Sequence, residues 1–474
     1  MAFFNILQET GLIVRCLNPT LIGTVECVMK FGSYCEENKP LYPYTNLSYH
    51  LLRSEQSESE TQRIFFIEMT NTSANKYQRR ITLITGSAFH FFHDGIADVL
   101  AVFLPLWQAS FGLSLTRVGL LVTCFEGATG FFQIPAGFLG ERFGERALLV
   151  VGTLITAISF MCLGFVEGLI SLVSLLFVGG VGAAVQHPLA SSMVSRAYND
   201  NGRRMALGTY NFSGDIGKFL FPALAAVGLS QIGWRPVLAG LGFLGCTLTV
   251  TLFFILRYAR VGGSAISEKN QNVALKTNDW GIVNKGAFST LSVIGMVDTA
   301  VRIGMITFGP FLFIQKGIRV ESVGFVLSLL FIGGAVGKFV CGALAERIGI
   351  NPTIVITECI TGFGILLLTV LSFPQIYFFL PVLGAALNGT SSVLYGTVAD
   401  FVSPHRVARG FGLFYTFVIS AAAVAPPIIG RVSDMLGLDN SIRLIGWIAL
   451  STVPLAVVLS WQTVEVRKAN QNIH

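Results

Sequence analysis

From residue 81 onward the chain is a succession of apolar runs broken by short polar stretches, and twelve of the runs reach the roughly 20 residues a helix needs to cross a bilayer. They centre near residues 93, 127, 157, 180, 217, 246, 297, 331, 361, 386, 420 and 452, six on each side of a polar stretch. Hydrophobic residues make up 53% of the 474-residue chain and charged residues only 12%, more apolar surface than a soluble interior of this size could hide. The expected fold class is an all-α integral membrane protein, with twelve transmembrane helices in two six-helix halves and the lipid bilayer as its solvent.

The two halves are copies. Gly137-Phe-Leu-Gly-Glu141-Arg142-Phe-Gly144 returns 205 positions later as Gly342-Ala-Leu-Ala-Glu346-Arg347-Ile-Gly349, and the same shift carries Pro105 to Pro310, Gly112 to Gly317 and Gly119 to Gly324. The chain therefore divides into a polar N-terminal extension (1–80), a first six-helix half (81–256), a linker rich in Ser, Asn, Gln and Lys (257–285), a second half (286–465) and a short tail (466–474). Duplicated bundles of this kind are how transporters are usually built.

Charge encodes topology here rather than a nucleic-acid partner, although the net charge is +6. If residue 80 lies in the cytoplasm, the segments on its side hold eighteen Lys and Arg, against six on the other: Arg117, Arg235, Lys316, Arg319, Arg431 and Arg443. The positive-inside bias then places both termini in the cytoplasm. The eight cysteines show neither CxxC nor paired spacing, so they read as small apolar residues, with no metal or cofactor implied.

The repeated G-x-L-x-[DE]-R-x-G resembles the cytoplasmic loop signature of the major facilitator superfamily, found between helices 2 and 3 of each half. The resemblance implies the major facilitator fold, and assigns Gly137, Glu141, Arg142, Gly144, Gly342, Glu346, Arg347 and Gly349 to conformational gating. Static capping of helix ends by the same charges is the alternative. A narrower resemblance, to the fosmidomycin-resistance group of facilitators, rests on His90-Phe-Phe-His93-Asp94 ahead of Pro105, on His187-Pro188, and on Asn211-Phe-Ser-Gly214-Asp-Ile-Gly217 ending at Pro222. It implies an antiporter and efflux protein of a bacterial inner (plasma) membrane. Leu189, Asp215, Lys218 and Leu176 depart from the residues that group or other proton-coupled exporters tend to carry, so neither substrate nor coupling is inherited.

An ionisable side chain at the bilayer centre costs roughly 2.5 to 3.5 kcal/mol on insertion scales, so those that remain face a cavity or a partner. Helix 1 carries His90, Asp94 and Asp98 on one stripe with His93 beside it, helix 2 Glu126, helix 4 His187, helix 5 Asp215 and Lys218, helix 7 Asp298 and Arg302, and helix 8 Lys338. All of these helices line the central cavity in the fold the resemblance implies. Arg302, Lys218 and Lys338 suit a small organic anion, and Asp94 with its histidines suits proton loading. The plainer readings are i, i+4 pairing of Asp298 with Arg302, i, i+3 pairing of Asp215 with Lys218, and a proline-loosened turn at His187-Pro188.

The expectation is a secondary active transporter of a small organic anion or drug-like metabolite, working by alternating access with protons as coupling ion, and functional as a monomer. Two alternatives stay open: a divalent-metal transporter using the helix 1 histidines, and a transporter-like sensor. No G-x-x-x-x-G-K-[ST], G-x-S-x-G or HExxH occurs, so neither an ATP-driven pump nor an enzyme is expected. Arg15, Pro19 and Glu26 break the one apolar run of the extension, which is neither a signal peptide nor a thirteenth span. Met69 precedes a short polar lead into the first helix, and translation is expected to start there. Intact mass of the expressed protein checks this, and a chain beginning near Met1 refutes it.

Overall fold

The structure, a computed structural model, describes residues 12–15, 28–31, 58–198, 202–262, 281–403 and 407–471, of which 12–15, 28–31, 58–75, 141, 204, 407–409 and 464–471 are described by backbone alone. Met1–Lys76 forms one compact unit, in which β1 (Leu12–Arg15) pairs antiparallel with β2 (Val28–Phe31). Tyr77–His474 is a second, helical unit. Residues 263–280 of the expected linker lie outside the described residues.

Among the described residues twelve helices are long and apolar enough to cross a membrane. They are span 1 (Lys76–Phe111), span 2 (Leu115–Gly140), span 3 (Glu145–Leu163), span 4 (Leu169–Ala197), span 5 (Met205–Ile232) and span 6 (Trp234–Tyr258), then span 7 (Lys285–Gln315), span 8 (Val320–Ile348), span 9 (Ile350–Leu368), span 10 (Phe373–Phe401), span 11 (Gly410–Leu436) and span 12 (Leu438–Thr463). Backbone groups have no water to bond in hydrocarbon, which is why every span is a helix.

The duplication survives at the level of single hydrogen bonds. Leu113 N–H donates to the Gln108 carbonyl at 3.1 Å, and 205 residues on Ile318 N–H donates to the Phe313 carbonyl at 3.0 Å, around Gly112 and Gly317 with φ of +59° and +92°. Gly144 and Gly349, the last residues of the repeated octapeptide, each end one span and begin the next at φ +83° and +94°. A side chain there would be strained, so the motif's final glycine is set by the corner itself.

The turns sort into two faces. One carries Gly112 and Gly437, joined by the Leu115 and Thr116 N–H groups, which donate to the Asp434 carboxylate at 2.8 and 2.9 Å. The Lys316 ammonium belongs there too, donating to the Thr369 and Leu371 carbonyls at 3.0 and 2.8 Å. The other carries Gly144 and Gly349, and there Arg146 N–H donates to the Gly262 carbonyl and Ser403 N–H to that of Gly281.

Contact between the halves is concentrated toward the Gly112 face. Span 2 meets span 11 where Thr123 Oγ1 donates to the Ala423 carbonyl at 2.6 Å and where a Cβ on Gly119 would strike the Pro426 backbone. Span 5 meets span 8 through Ser328 Oγ, which donates to the Phe219 carbonyl at 2.6 Å. Toward the Gly144 face, Gly137, Gly208, Gly342 and Gly412 have nothing within 4 Å of where a Cβ would stand. Span 1 and span 7, equivalent under the repeat, are the most enclosed, with 78% and 67% of an apolar 18-residue stretch of each buried, and most of the membrane charges sit on or against them.

Gly119→Val wedges the span 2 and span 11 backbones apart. A cysteine placed at Thr123 is then expected to react faster with an aqueous maleimide from the Gly112 face, and an unchanged rate contradicts the close packing.

Candidate functional site

Span 1 presents His90, Asp94 and Asp98 on successive turns against span 5. Span 5 comes this near because residue 214 is glycine: a Cβ there would stand 2.6 Å from Asp94 Oδ2 and 2.7 Å from His90 Cε1. His90 Nδ1 lies 2.8 Å from the Tyr210 carbonyl oxygen, and its ring stacks on that of Tyr210 at 4.2 Å between centroids. A carbonyl only accepts, so Nδ1 carries the hydrogen and Nε2 faces Asp94 Oδ1 at 3.3 Å. That contact attracts only with a proton in it, as imidazolium against carboxylate or imidazole against carboxylic acid.

Two more histidines approach the same oxygen, His187 Nε2 at 3.9 Å and His93 Nε2 at 4.0 Å. His187 arrives from span 4, whose helix breaks between Ala183 and Gln186. Pro188 has no N–H for the Ala184 carbonyl, and this is the loosened turn the sequence suggested. The His187 side chain is 46% exposed and that of Asp94 only 10%.

Asp215 and Lys218 do not pair with each other. Lys218 Nζ instead bridges Asp94 Oδ2 at 3.4 Å and Asp98 Oδ2 at 3.5 Å, while Asp215 crosses to the second half and accepts from Lys338 Nζ at 2.5 Å. Each finds a partner on a neighbouring span in place of the i, i+3 pair along its own helix. The expected Asp298–Arg302 pair is absent from the ion pairs within 4.0 Å among the described residues as well. Asp298 is buried on span 7, and Glu358, buried on span 9, accepts from Thr452 Oγ1 at 3.1 Å. Arg302 Nε is buried with no partner, and Asp98 and Glu126 lie within its electrostatic range.

Glu358 and Tyr210 were missed by sequence reasoning, and Gly214 entered it only as part of the span 5 motif. For Glu358 the signal was present, an acid amid the ninth apolar run, but span 9 lies outside the set of helices expected to line the cavity. The repeated loop motif also behaves differently from expectation. The Glu141 side chain lies outside the described residues, Arg142 sits over the Phe143 ring at 5.4 Å, and Glu346 and Arg347 are exposed without an ion pair to another described residue. The buried charge at this corner is Glu145, one residue past the octapeptide, and it pairs with Arg196 of span 4.

His90, Asp94 and His187 offer ligand atoms within 4.8 Å of one another, a geometry a divalent ion could occupy. The Lys218 ammonium on the same carboxylate sets a fixed positive charge against such an ion.

Glycine corners repeated in register, two copies of one six-helix unit and charge gathered where they meet describe a known architecture, and a profile of the Major Facilitator Superfamily matches residues 86–316 and 290–473. The chain belongs to the Major Facilitator Superfamily. Among its relatives, the D-galactonate transporter of Escherichia coli O6:H1 is 23% identical over 393 residues that cover 74% of this facilitator and 88% of that one. The probable galactarate/D-glucarate transporter of Escherichia coli K12 is 24% identical over 372 residues, 69% and 81% of the two chains. A solved bacterial homolog of the human lysosomal transporter Spinster, inward-facing and unoccupied, shares the fold with a TM-score of 0.64 at 18% identity over 81% of this chain and 96% of that one. The facilitator is therefore an integral membrane transporter.

Lys218→Met leaves two acids without their shared cation and is expected to destabilise the protein by about 3 kcal/mol, read as a lower melting temperature in detergent. Adding Asp94→Asn should restore part of the loss, and purely additive losses contradict the bridge.

Proposed function

We propose that this facilitator is a proton-coupled secondary transporter of a small organic anion, with Arg302 as the group that receives the anion. One observation carries the reading. Lys218 is committed to Asp94 and Asp98 and Lys338 to Asp215, while Arg302 has no carboxylate ion-paired to it among the described residues. A planar guanidinium on an enclosed span offers a bidentate fork to a carboxylate. Two relatives named for sugar-acid transport, matched along most of their length, support an acid as cargo.

The His90–Asp94 contact, which needs a proton, and the exposed His187 beside it give the first half a group able to exchange protons with the cavity. With the positive-inside bias placing the Gly144 face in the cytoplasm, the halves are closed outside and parted inside, as an inward-facing carrier requires. In this reading the monomer is the working unit. Uptake of an acid with protons has more support than the antiport and efflux implied by the fosmidomycin-resistance resemblance, which covers mainly residues 88 to 225. A metal cargo is disfavoured by Lys218.

Proteoliposome counterflow with D-galactonate and D-glucarate tests this. Saturable exchange is expected, weakened about 10- to 100-fold in affinity by Arg302→Ala, the loss of one charged hydrogen-bonding partner. Full exchange in Arg302→Ala overturns the assignment of the anion site.

A further inference from the structure

Three imidazoles converge on one carboxylate oxygen of the first half. His90 Nε2 stands 3.3 Å from Asp94 Oδ1, and His187 Nε2 and His93 Nε2 follow at 3.9 and 4.0 Å. The tautomer of His90 is set from behind, since its Nδ1–H donates to the Tyr210 carbonyl at 2.8 Å, so Nε2 turns a lone pair toward Oδ1. A histidine bound to metal almost always gives its other N–H to such an acceptor, which fixes the ring. Stacking on Tyr210 and the close approach at Gly214 hold the same ring in place. Zinc bonds of about 2.0 to 2.1 Å in a tetrahedron set neighbouring ligand atoms about 3.3 Å apart. His90 and Asp94 have that spacing, and the half-exposed His187 needs to close by only about half an ångström to share it. Lys218 opposes an incoming cation, but from the far oxygen, Asp94 Oδ2, and it is divided between that carboxylate and Asp98. Two carboxylates against one ammonium leave a negative charge for the ion to meet.

We propose that His90 Nε2, Asp94 Oδ1 and His187 Nε2 form a binding site for a divalent transition-metal ion of the zinc class, which ties span 4 to span 1 and is not the cargo. Two imidazoles and a carboxylate suit zinc and its first-row neighbours, whereas magnesium and calcium take oxygen ligands. All three ligands belong to the first half, whereas a carried solute is handed across a site between both halves. Gly295 and Thr299 stand where the repeat places the counterparts of His90 and Asp94, so the cluster is no part of the duplicated frame. His187 lies on Gln186–Ala197, the segment that the break after Ala183 separates from the rest of span 4. An ion shared between that segment and span 1 favours the arrangement it binds, by mass action.

Zinc and cobalt(II), each as the only added metal, test this on the full-length protein without an affinity tag. Calorimetry in detergent should show zinc binding that His187→Ala weakens by at least about 10- to 100-fold, the loss that even an outer partner of a ligand causes. Asp94→Asn should weaken it as well, which keeps the test open if one variant fails to fold. Lys218→Met removes the opposing charge and should tighten zinc several-fold, a gain that a metal held elsewhere on the chain would not show. Cobalt(II) should give the visible bands of nitrogen and oxygen ligation without the near-ultraviolet absorption of thiolates, and His187→Ala should abolish them. No binding up to millimolar zinc, thiolate absorption, unchanged affinity in His187→Ala, or unchanged or weaker affinity in Lys218→Met overturns the site. Radioactive zinc that accumulates in proteoliposomes through His187 overturns the proposal by making the ion a cargo.

Discussion

The ammonium of Lys218 between Asp94 and Asp98 is the contact on which the interior of the first half depends. Without it, two carboxylates one helical turn apart would face each other in a medium that stabilises neither. With it, span 1 can carry a charged stripe through the centre of the bundle, and span 5, pressed close by Gly214, supplies the counter-charge from the same surface. The arrangement needs the glycine and the lysine together, since the small residue sets the distance at which the cation can serve both acids.

The two halves share one set of joints and differ in what they hold. Gly112 and Gly317, then Gly144 and Gly349, turn the chain in the same way. Against this common frame Lys218 of the first half bridges Asp94 and Asp98, while in the second half Arg302 has no ion-paired carboxylate among the described residues. A carrier needs both properties: equivalent joints let one half rock against the other about a central site, and asymmetric chemistry gives that site a cargo. The backbone contacts across Gly119 and Gly324 close one face tightly, whereas the open space at Gly137, Gly342 and Gly412 leaves the other free to close in its turn.

Twelve spans, the duplication and the corner glycines were legible in the sequence, because span length, apolarity and left-handed backbone leave direct marks on residue choice. The charged residues were legible as a group for the same reason, an ionisable side chain in a long apolar run being rare enough to carry information. Their pairing was not. Helical spacing suggested Asp215 with Lys218 and Asp298 with Arg302, yet the ion pairs run between helices, from Asp215 to Lys338 and from Lys218 to Asp94 and Asp98, and Arg302 pairs with no described carboxylate. Spacing along one helix reports which residues share a face and says nothing of what that face meets. Glu358 was passed over because it lies on a helix expected to be structural, and only packing reveals that its carboxylate is buried against Thr452.

The central claim is that anion and proton binding at the middle of the bundle drives the halves from one closed face to the other. Pulsed electron paramagnetic resonance measures this directly, with one pair of spin labels at residues 137 and 412 on the Gly144 face and another at residues 117 and 435 on the Gly112 face. On adding D-galactonate under mildly acidic conditions, the first distance should shorten as the second lengthens. Two distances that stay fixed, or that change in the same sense, would contradict the account.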